Sequence, residues 1–326
     1  MEDYKYKLSI IIPMYNAEKY IENCLDSILN SDLPKDEYEV IIINDGSKDN
    51  SPEIAKKYVE KHESFIYLTQ KNQGQSVARN YGIKECKGEY VWFVDCDDKV
   101  EKNIFNVYNI LNKKKNIDII AFQLKVVREN SEFVCTACEQ PSVKHDSIIS
   151  GREAIIDGYN PSSVCALFLK TQFVLKNNLF FKEGITHQDV ELSYRLFAHA
   201  ERVLFTEFVP YIYIPHPNST SQSLNPEKKI KYLKDDIVVY KSFMSLSQKF
   251  SLDKELSKTI YYRAKNILFC LLLSLHKNRK VWGKMGINKS IIQELKKDNL
   301  YPLRGPFDSY KKLVAVLFLN HDFLIR

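Results

Sequence analysis

The stretch Gly88 to Lys99, GEYVWFVDCDDK, limits the architectures open to this chain more than any other. Five apolar or aromatic residues, Tyr90 to Val94, run without a break into Asp95, Asp97 and Asp98. An apolar run of this length, closed by charge, reads as a central strand covered on both faces. In open α/β sheets ligands bind in the crevice beyond the carboxyl ends of such strands. Asp95 and Asp97 therefore leave the core where a site is expected. Two carboxylates separated by one residue at a strand end suit a hard divalent cation that also holds phosphate oxygens. Taken alone, the same DxDD is also good chemistry for a solvated turn.

The flanking sequence alternates strand and helix. Leu8 to Pro13 predicts a first buried strand, and Asn16 is the expected N-cap of the helix after it. Tyr20, Ile21, Cys24, Leu25, Ile28 and Leu29 form that helix's inward stripe. Tyr38 to Asn44 predicts a second buried strand, ending in the tight turn Asp45-Gly46-Ser47; Ser51, followed by Pro52, is expected to cap the next helix. Phe65 to Thr69 is a third strand, and Gln73-Gly74-Gln75-Ser76 opens a helix through Ala78, Tyr81 and Ile83. After the fourth strand, Tyr90 to Asp95, come a helix around Ile104 to Leu111 and a strand from Asp118 to Leu124. This order predicts an α/β fold, a doubly wound, mostly parallel sheet with helices on both faces. A dinucleotide site would place G-x-G-x-x-G at the first strand–helix turn. Here that turn is Pro13-Met14-Tyr15-Asn16-Ala17, without glycine. Phosphates must find countercharge elsewhere, and a metal on Asp95 and Asp97 would supply it.

Beyond residue 125 the alternation stops. Ser150-Gly151-Arg152-Glu153 reads as a capping box. Val164 to Lys170 predicts a strand, with Thr171 capping the helix after it. Ile185 to His199 predicts a helix with Val190, Leu192, Leu196 and Phe197 as its stripe. Val203 to Phe208 and Val209 to Ile214 read as short strands, and Pro215 to Ser219 as a loop. From Pro226 onward the chain is helical and basic, with helices expected over 228–250, 254–276 and 309–319. Two domains are expected, 1–225 and 226–326. Their charges differ: the first carries 26 Lys and Arg against 32 Asp and Glu, the second 21 against 9, a balance of +12.

Cysteines at 24, 86, 96, 135, 138, 165 and 270 form an odd, scattered set, which points to reduced thiols and a cytosolic location. Cys135 and Cys138 form a CxxC with no second pair. The N-terminus lacks a signal-peptide pattern, and the apolar run Ile267 to Leu275 is far short of the roughly 20 residues that span a bilayer. The basic tail predicts peripheral attachment to the anionic cytoplasmic face of a membrane. Ser309 to Leu319 is amphipathic enough to lie on that surface, or serves as an ordinary packing helix. No nucleic-acid motif or stacking array accompanies the charge, so no nucleic-acid partner is expected.

SIIIPMYNAEKYIENCLDSIL, EVIIINDGSKDNS, NQGQSVARNYGI, YVWFVDCDD and THQDVELSYRLF occur in that order. Together they resemble the family 2 glycosyltransferases, inverting enzymes of the GT-A fold, over residues 8 to about 221. The resemblance implies roles residue by residue. Pro13, Tyr15 and Asn16 line the pocket for the nucleotide base, with Tyr15 a candidate stacking platform. Asp45 accepts a hydrogen bond from base or ribose; Gly74 and Arg79 belong to the motif lining the donor side. Asp95 contacts ribose or metal, and Asp97 ligates the metal that bridges the diphosphate. Asp189 takes the place of the general base. His216 and Ser219 match a loop that closes over the diphosphate or adds a metal ligand. In one departure, Gln188 stands where the family usually has Glu before the base, and it cannot ionise.

The implied reaction is attack by a glycan or lipid-linked hydroxyl on the anomeric carbon of a nucleotide sugar, UDP-linked by default, with inversion. Mn²⁺ or Mg²⁺ is the implied cofactor. Asp189 has a blander reading as an acidic residue in a helix's first turn, Asp45 as turn chemistry, and Arg79 as a structural ion pair. Glu191 reads as a supporting or surface residue. A nucleotidylyltransferase is disfavoured by the glycine-free first turn. A non-catalytic nucleotide-sugar-binding component of a polysaccharide assembly complex is the alternative that Gln188 keeps open.

Overall fold

The structure, a computed structural model, describes residues 4–114, 116–128, 131–135, 145–215 and 225–321. The described residues divide into two compact units: one runs up to Gly184 and resumes over Gln188–Pro215, and the other joins Ile185–His187 to the residues after Pro215.

In the first unit the elements follow in the order β1 (Tyr6–Met14), α1 (Ile21–Leu29), β2 (Tyr38–Asn44), α2 (Ser51–Lys61), β3 (Phe65–Thr69), α3 (Gln75–Glu85) and β4 (Gly88–Phe93). Then come β5 (Lys99–Val100), α4 (Phe105–Lys113), β6 (Ile119–Ala121), β7 (Leu124–Arg128), β8 (Ser131–Cys135), β9 (Ile148–Ile149) and α5 (Gly151–Ile156). β10 (Leu167–Lys170), α6 (Thr171–Lys176), α7 (Gln188–His199), β11 (Val203–Phe205) and β12 (Tyr211–Tyr213) complete it. The main sheet has eight strands in the order β3-β2-β1-β4-β10-β6-β11-β9. Strands β3, β2, β1, β4, β6 and β11 run one way; β10 and β9 oppose them. The sheet is thus mostly parallel, as expected. Its centre is continuous apolar strand, with Ile10–Ile12, Val40–Ile43 and Val91–Val94 fully enclosed, because helices cover both faces. Helix α3 lies close on β1: a Cβ at Gly82 would stand 2.5 Å from the Ile11 side chain, so only glycine fits. A second sheet, β5-β12-β7-β8, sits at the chain's exit from β4.

Several expectations need correction. The strand expected over Val164 to Lys170 is shorter, β10 at Leu167–Lys170, and it enters antiparallel between β4 and β6. Asn16 does not cap α1: it adopts φ 49°, the helix starts five residues later, and its side chain accepts from Lys48 N–H at 2.9 Å. Asn50 rather than Ser51 occupies the N-cap of α2. Thr171 opens α6 rather than capping it, and its hydroxyl donates to the Gly88 carbonyl at 2.7 Å. The capping box at Ser150 and Glu153 forms in full.

The second unit is helical: α8 (Pro226–Lys249), α9 (Lys254–Lys277), α10 (Arg279–Lys284), α11 (Ile287–Lys297) and α12 (Tyr310–Leu319). Ser247 and Ser257 exchange hydroxyl-to-carbonyl bonds of 2.8 Å and pin α8 to α9. Lys234–Glu294 and Lys241–Asp298 pairs tie α8 to the α11 region. Thr186 donates both its N–H and its hydroxyl to Asp235, at 2.8 and 2.9 Å. The short helices α10 and α11 were not anticipated, although Ile287, Ile291 and Leu295, all buried, recur at helical spacing. No helix of the described residues is long and apolar enough to cross a membrane.

Candidate active site

Asp95 leaves β4 with its side chain about a quarter exposed. Its Oδ1 accepts from Arg79 Nη2 at 2.7 Å and from Gln75 Nε2 at 2.9 Å. The Cys165 thiol lies 3.8 Å from Oδ2. Asp95, Asp97 and Asp98 bring ligand oxygens within 4.8 Å of one another. This donor set consists of carboxylates alone, and it fits a hard cation such as Mg²⁺ or Mn²⁺ rather than a thiophilic one. Asp98 is buried, accepting from the Tyr211 hydroxyl at 2.5 Å and from Ile214 N–H at 2.8 Å. Burial, reinforced by Asp95, pushes its carboxyl up to about 8. Asp98 was not singled out as a ligand candidate in the sequence reading. An aromatic box fixes the floor beneath: Trp92 packs edge-on to Phe122, Phe168 and Tyr211 and donates to the Cys165 carbonyl at 2.8 Å.

Arg79 is the hub. Gly74, at the N-cap of α3, has a φ of 93° that suits only glycine, and the helix that follows turns Arg79 inward, where its side chain is 1% exposed. Its Nη1 reaches Asp189 Oδ1 at 2.7 Å while Nη2 holds Asp95. Phe181 supports the guanidinium with its ring centre 5.0 Å away. Asn80, the next residue, brackets the Phe181 backbone through both ends of its amide, at 2.8 and 2.9 Å. Burial works against the Arg79 charge, but Asp189 and Asp95 outweigh it and raise its pKa above the ordinary value.

Asp189 sits in the first turn of α7. Burial raises its carboxyl above the usual range; the Arg79 charge and a backbone bond from Val164 oppose the rise. Gln188 donates to Gln75 Oε1 at 2.8 Å, and Gln75 in turn donates to Asp95. A chain of amides thus runs from the start of α7 to the end of β4. Glu191 is no surface residue: it is buried and paired with Arg195 at 2.7 Å.

Asp45, buried at the end of β2, accepts at Oδ1 from Gln70 Nε2 and Gln73 N–H and at Oδ2 from Gly74 N–H, each at 2.8 Å. It therefore shapes the loop from which α3 starts. Pro13 is buried in β1, while Tyr15 is 47% exposed beside the loop that Asn16 and Ser47 tie together. The structure brings Asp95, Asp97, Arg79 and Asp189 together; Asp45 and Gly74 join them through the start of α3. His216 and Ser219 lie outside the described residues, as does Cys138 of the CxxC. Gln75, Cys165 and Tyr211 were missed; only the position of Gln75 inside NQGQSVARN gave any signal.

Residues 9–134 match the family described as Glycosyl transferase family 2. An uncharacterized glycosyltransferase of Escherichia coli (strain K12), YibD, is 30% identical over 268 residues, covering 79% of this chain and 77% of that protein. Coverage of other relatives' own length falls as low as 14%. The crystal structure of S. aureus TarS 1-349 in complex with UDP-GlcNAc superposes with a TM-score of 0.59 at 20% identity, over 91% of this chain and 93% of that one. The mannosyltransferase PcManGT from Pyrobaculum calidifontis, in complex with GDP-Man and Mn²⁺, gives a TM-score of 0.56 at 16% identity, over 98% and 88%. At these identities the structural likeness is one of fold, and that fold is of the GT-A type.

Proposed function

The chain belongs to glycosyl transferase family 2, and from that premise we propose that it moves a hexosyl unit from a nucleoside-diphosphate sugar, assigned as UDP-linked, to a hydroxyl of a glycan or lipid-linked acceptor with inversion. The observation that carries this reading is the single buried guanidinium joining Asp95 at the strand end to Asp189 on α7. It holds the carboxylate proposed to bind a cation and the proposed proton acceptor at a fixed separation, which supports a reading as an in-line displacement.

In the proposed reaction the acceptor oxygen bonds to the anomeric carbon as the bond from that carbon to the diphosphate oxygen breaks. The hydroxyl proton passes to Asp189, since a sugar hydroxyl is too weak an acid to react unaided. One displacement from the face opposite the leaving group inverts the centre, through an oxocarbenium-like transition state. Asp95 and Asp97, with Asp98 beside them, would hold a divalent cation that, when bound, supplies positive charge to the departing diphosphate. Arg79 keeps Asp189 aimed and favours its ionised form. The Gln188–Gln75 chain does for Asp95 what a neutral donor does: it fixes an oxygen without adding charge.

A thermal-shift screen of nucleotide sugars with and without Mg²⁺ or Mn²⁺ tests the reading, because a ligand that binds only the folded chain raises its apparent stability. A sugar nucleotide that raises the melting temperature in the presence of metal is expected. If none does so, the proposal fails.

A further inference from the structure

Helix α12 presents two apolar faces, and only one is used. Val316 and Leu319 are buried against the helical unit, and the Tyr301 hydroxyl and the Asn320 amide fasten its far end to the segment around Leu303. The other face carries Tyr310, Leu313, Leu317 and Phe318, which are 79%, 42%, 60% and 63% exposed. At 100° per residue these four, with Val314 between them, share one side of the helix, and the exposed Lys311 borders it beside Phe318. A soluble surface rarely gathers large apolar side chains this way unless something covers them.

Charge identifies the cover. Residues 226–326 hold 21 Lys and Arg against 9 Asp and Glu. Lys312, on the inner side of α12, is already engaged, paired with Asp308 at 2.7 Å and 6.0 Å from the Phe269 ring of α9, so the cation beside the outward strip is Lys311. An outward apolar strip bordered by Lys311, on a helical unit with this excess of lysine and arginine, matches an anionic bilayer surface, where the ring and alkyl groups enter the acyl boundary and the cations meet headgroups. A second copy of the chain fits less well. A ten-residue helix is roughly 15 Å long and 10 Å across, well short of the ~800 Å² per partner that a stable dimer buries.

We infer that α12 lies in the plane of an anionic membrane surface, inserting Tyr310, Leu313, Leu317 and Phe318 between headgroups. At ten residues it docks without spanning. The docking is separate from the glycosyl-transfer reading, and its readout is binding alone.

The test is co-sedimentation of the full chain with vesicles of phosphatidylcholine, or of phosphatidylcholine mixed with phosphatidylglycerol, at low and high salt. Binding is expected to the mixed vesicles only, and to weaken with salt. The variant Leu317→Ser/Phe318→Ser, altered at exposed positions so that its melting temperature should hold, is expected to lose about tenfold or more in vesicle affinity. Lys311→Glu is expected to lose less, and only at low salt. Failure to bind either vesicle overturns the inference. So does equal binding by the double variant, or a wild-type dimer in light scattering that the double variant converts to monomer.

Discussion

Arg79 and Asp189, 110 residues apart in sequence, meet at 2.7 Å, and the same guanidinium holds Asp95 at the same distance. Three elements converge on one cation: α3, the end of β4 and the first turn of α7. Arg79 is almost wholly buried while both carboxylates stay about a quarter exposed. The guanidinium itself is therefore shut inside the protein, and the two carboxylates make up the open side of the pair.

Removing that cation should cost both stability and rate. Arg79→Ala leaves two partly buried carboxylates without their shared partner, and breaking such a pair costs about 3 kcal/mol. Arg79→Lys keeps the charge, but one ammonium cannot offer two fixed donors to two carboxylates. Its kcat should fall tenfold or more with a smaller change in donor KM. Chemical denaturation and steady-state kinetics check this, and a wild-type kcat in Arg79→Lys would contradict it.

The amide chain Gln188–Gln75–Asp95 should behave as a unit. Gln75→Ala and Gln188→Ala should each reduce transfer, by about three- to tenfold for one lost hydrogen bond. Their combination should be no worse than Gln75→Ala alone, because Gln188 reaches Asp95 through Gln75. Additive losses in kcat/KM would show two independent roles.

A pH dependence resides in the helical unit. Burial pushes the Asp236 carboxyl up to about 6, against the opposing pull of His187 3.4 Å away. An unfolded Asp titrates near 3.9, so the folded state favours the protonated form. The resulting stability is complete below about pH 4 and is lost as pH rises through about 6. Asp236→Asn mimics the protonated form and should gain on the wild type by about 2 kcal/mol between pH 4 and pH 8. Melting temperatures of the two proteins at both pH values measure it; a constant difference would contradict it.

Gly82 should resist replacement. An added Cβ would press into Ile11 at 2.5 Å, with Ile43 at 3.1 Å behind it. Gly82→Ala should destabilise by about 1–3 kcal/mol through overpacking, despite alanine's advantage of up to about 1 kcal/mol in a helix. Urea unfolding decides the sign.

The parts of the fold legible in the sequence are those set by local pattern. β1, β2 and β4 are continuous apolar runs because both faces are covered, and such runs announce themselves. The capping box at Ser150 is equally local. The insertion of β10 was not legible: Leu167–Lys170 is four residues long, and nothing in them fixes partner or direction. Asn16 misled because a residue that favours caps also tolerates a left-handed turn, and here the turn won. At the site, Asp45, Arg79, Asp95, Asp97 and Asp189 drew notice through motif. Cys165 and Tyr211 act only because the second sheet and β10 carry them to Asp95, a convergence that no spacing reveals. Asp98 was overlooked because its neighbours fit the simpler two-carboxylate pattern.

The central claim is that Asp189 takes the acceptor's proton while the donor is bound by other residues. Its most direct measurement is single-turnover sugar transfer by Asp189→Asn, with donor affinity determined in parallel. The account predicts a loss of about 10²–10⁴-fold in the transfer step, with donor affinity within a few-fold of wild type. Transfer at the wild-type rate, or a loss explained wholly by weaker donor binding, would contradict it.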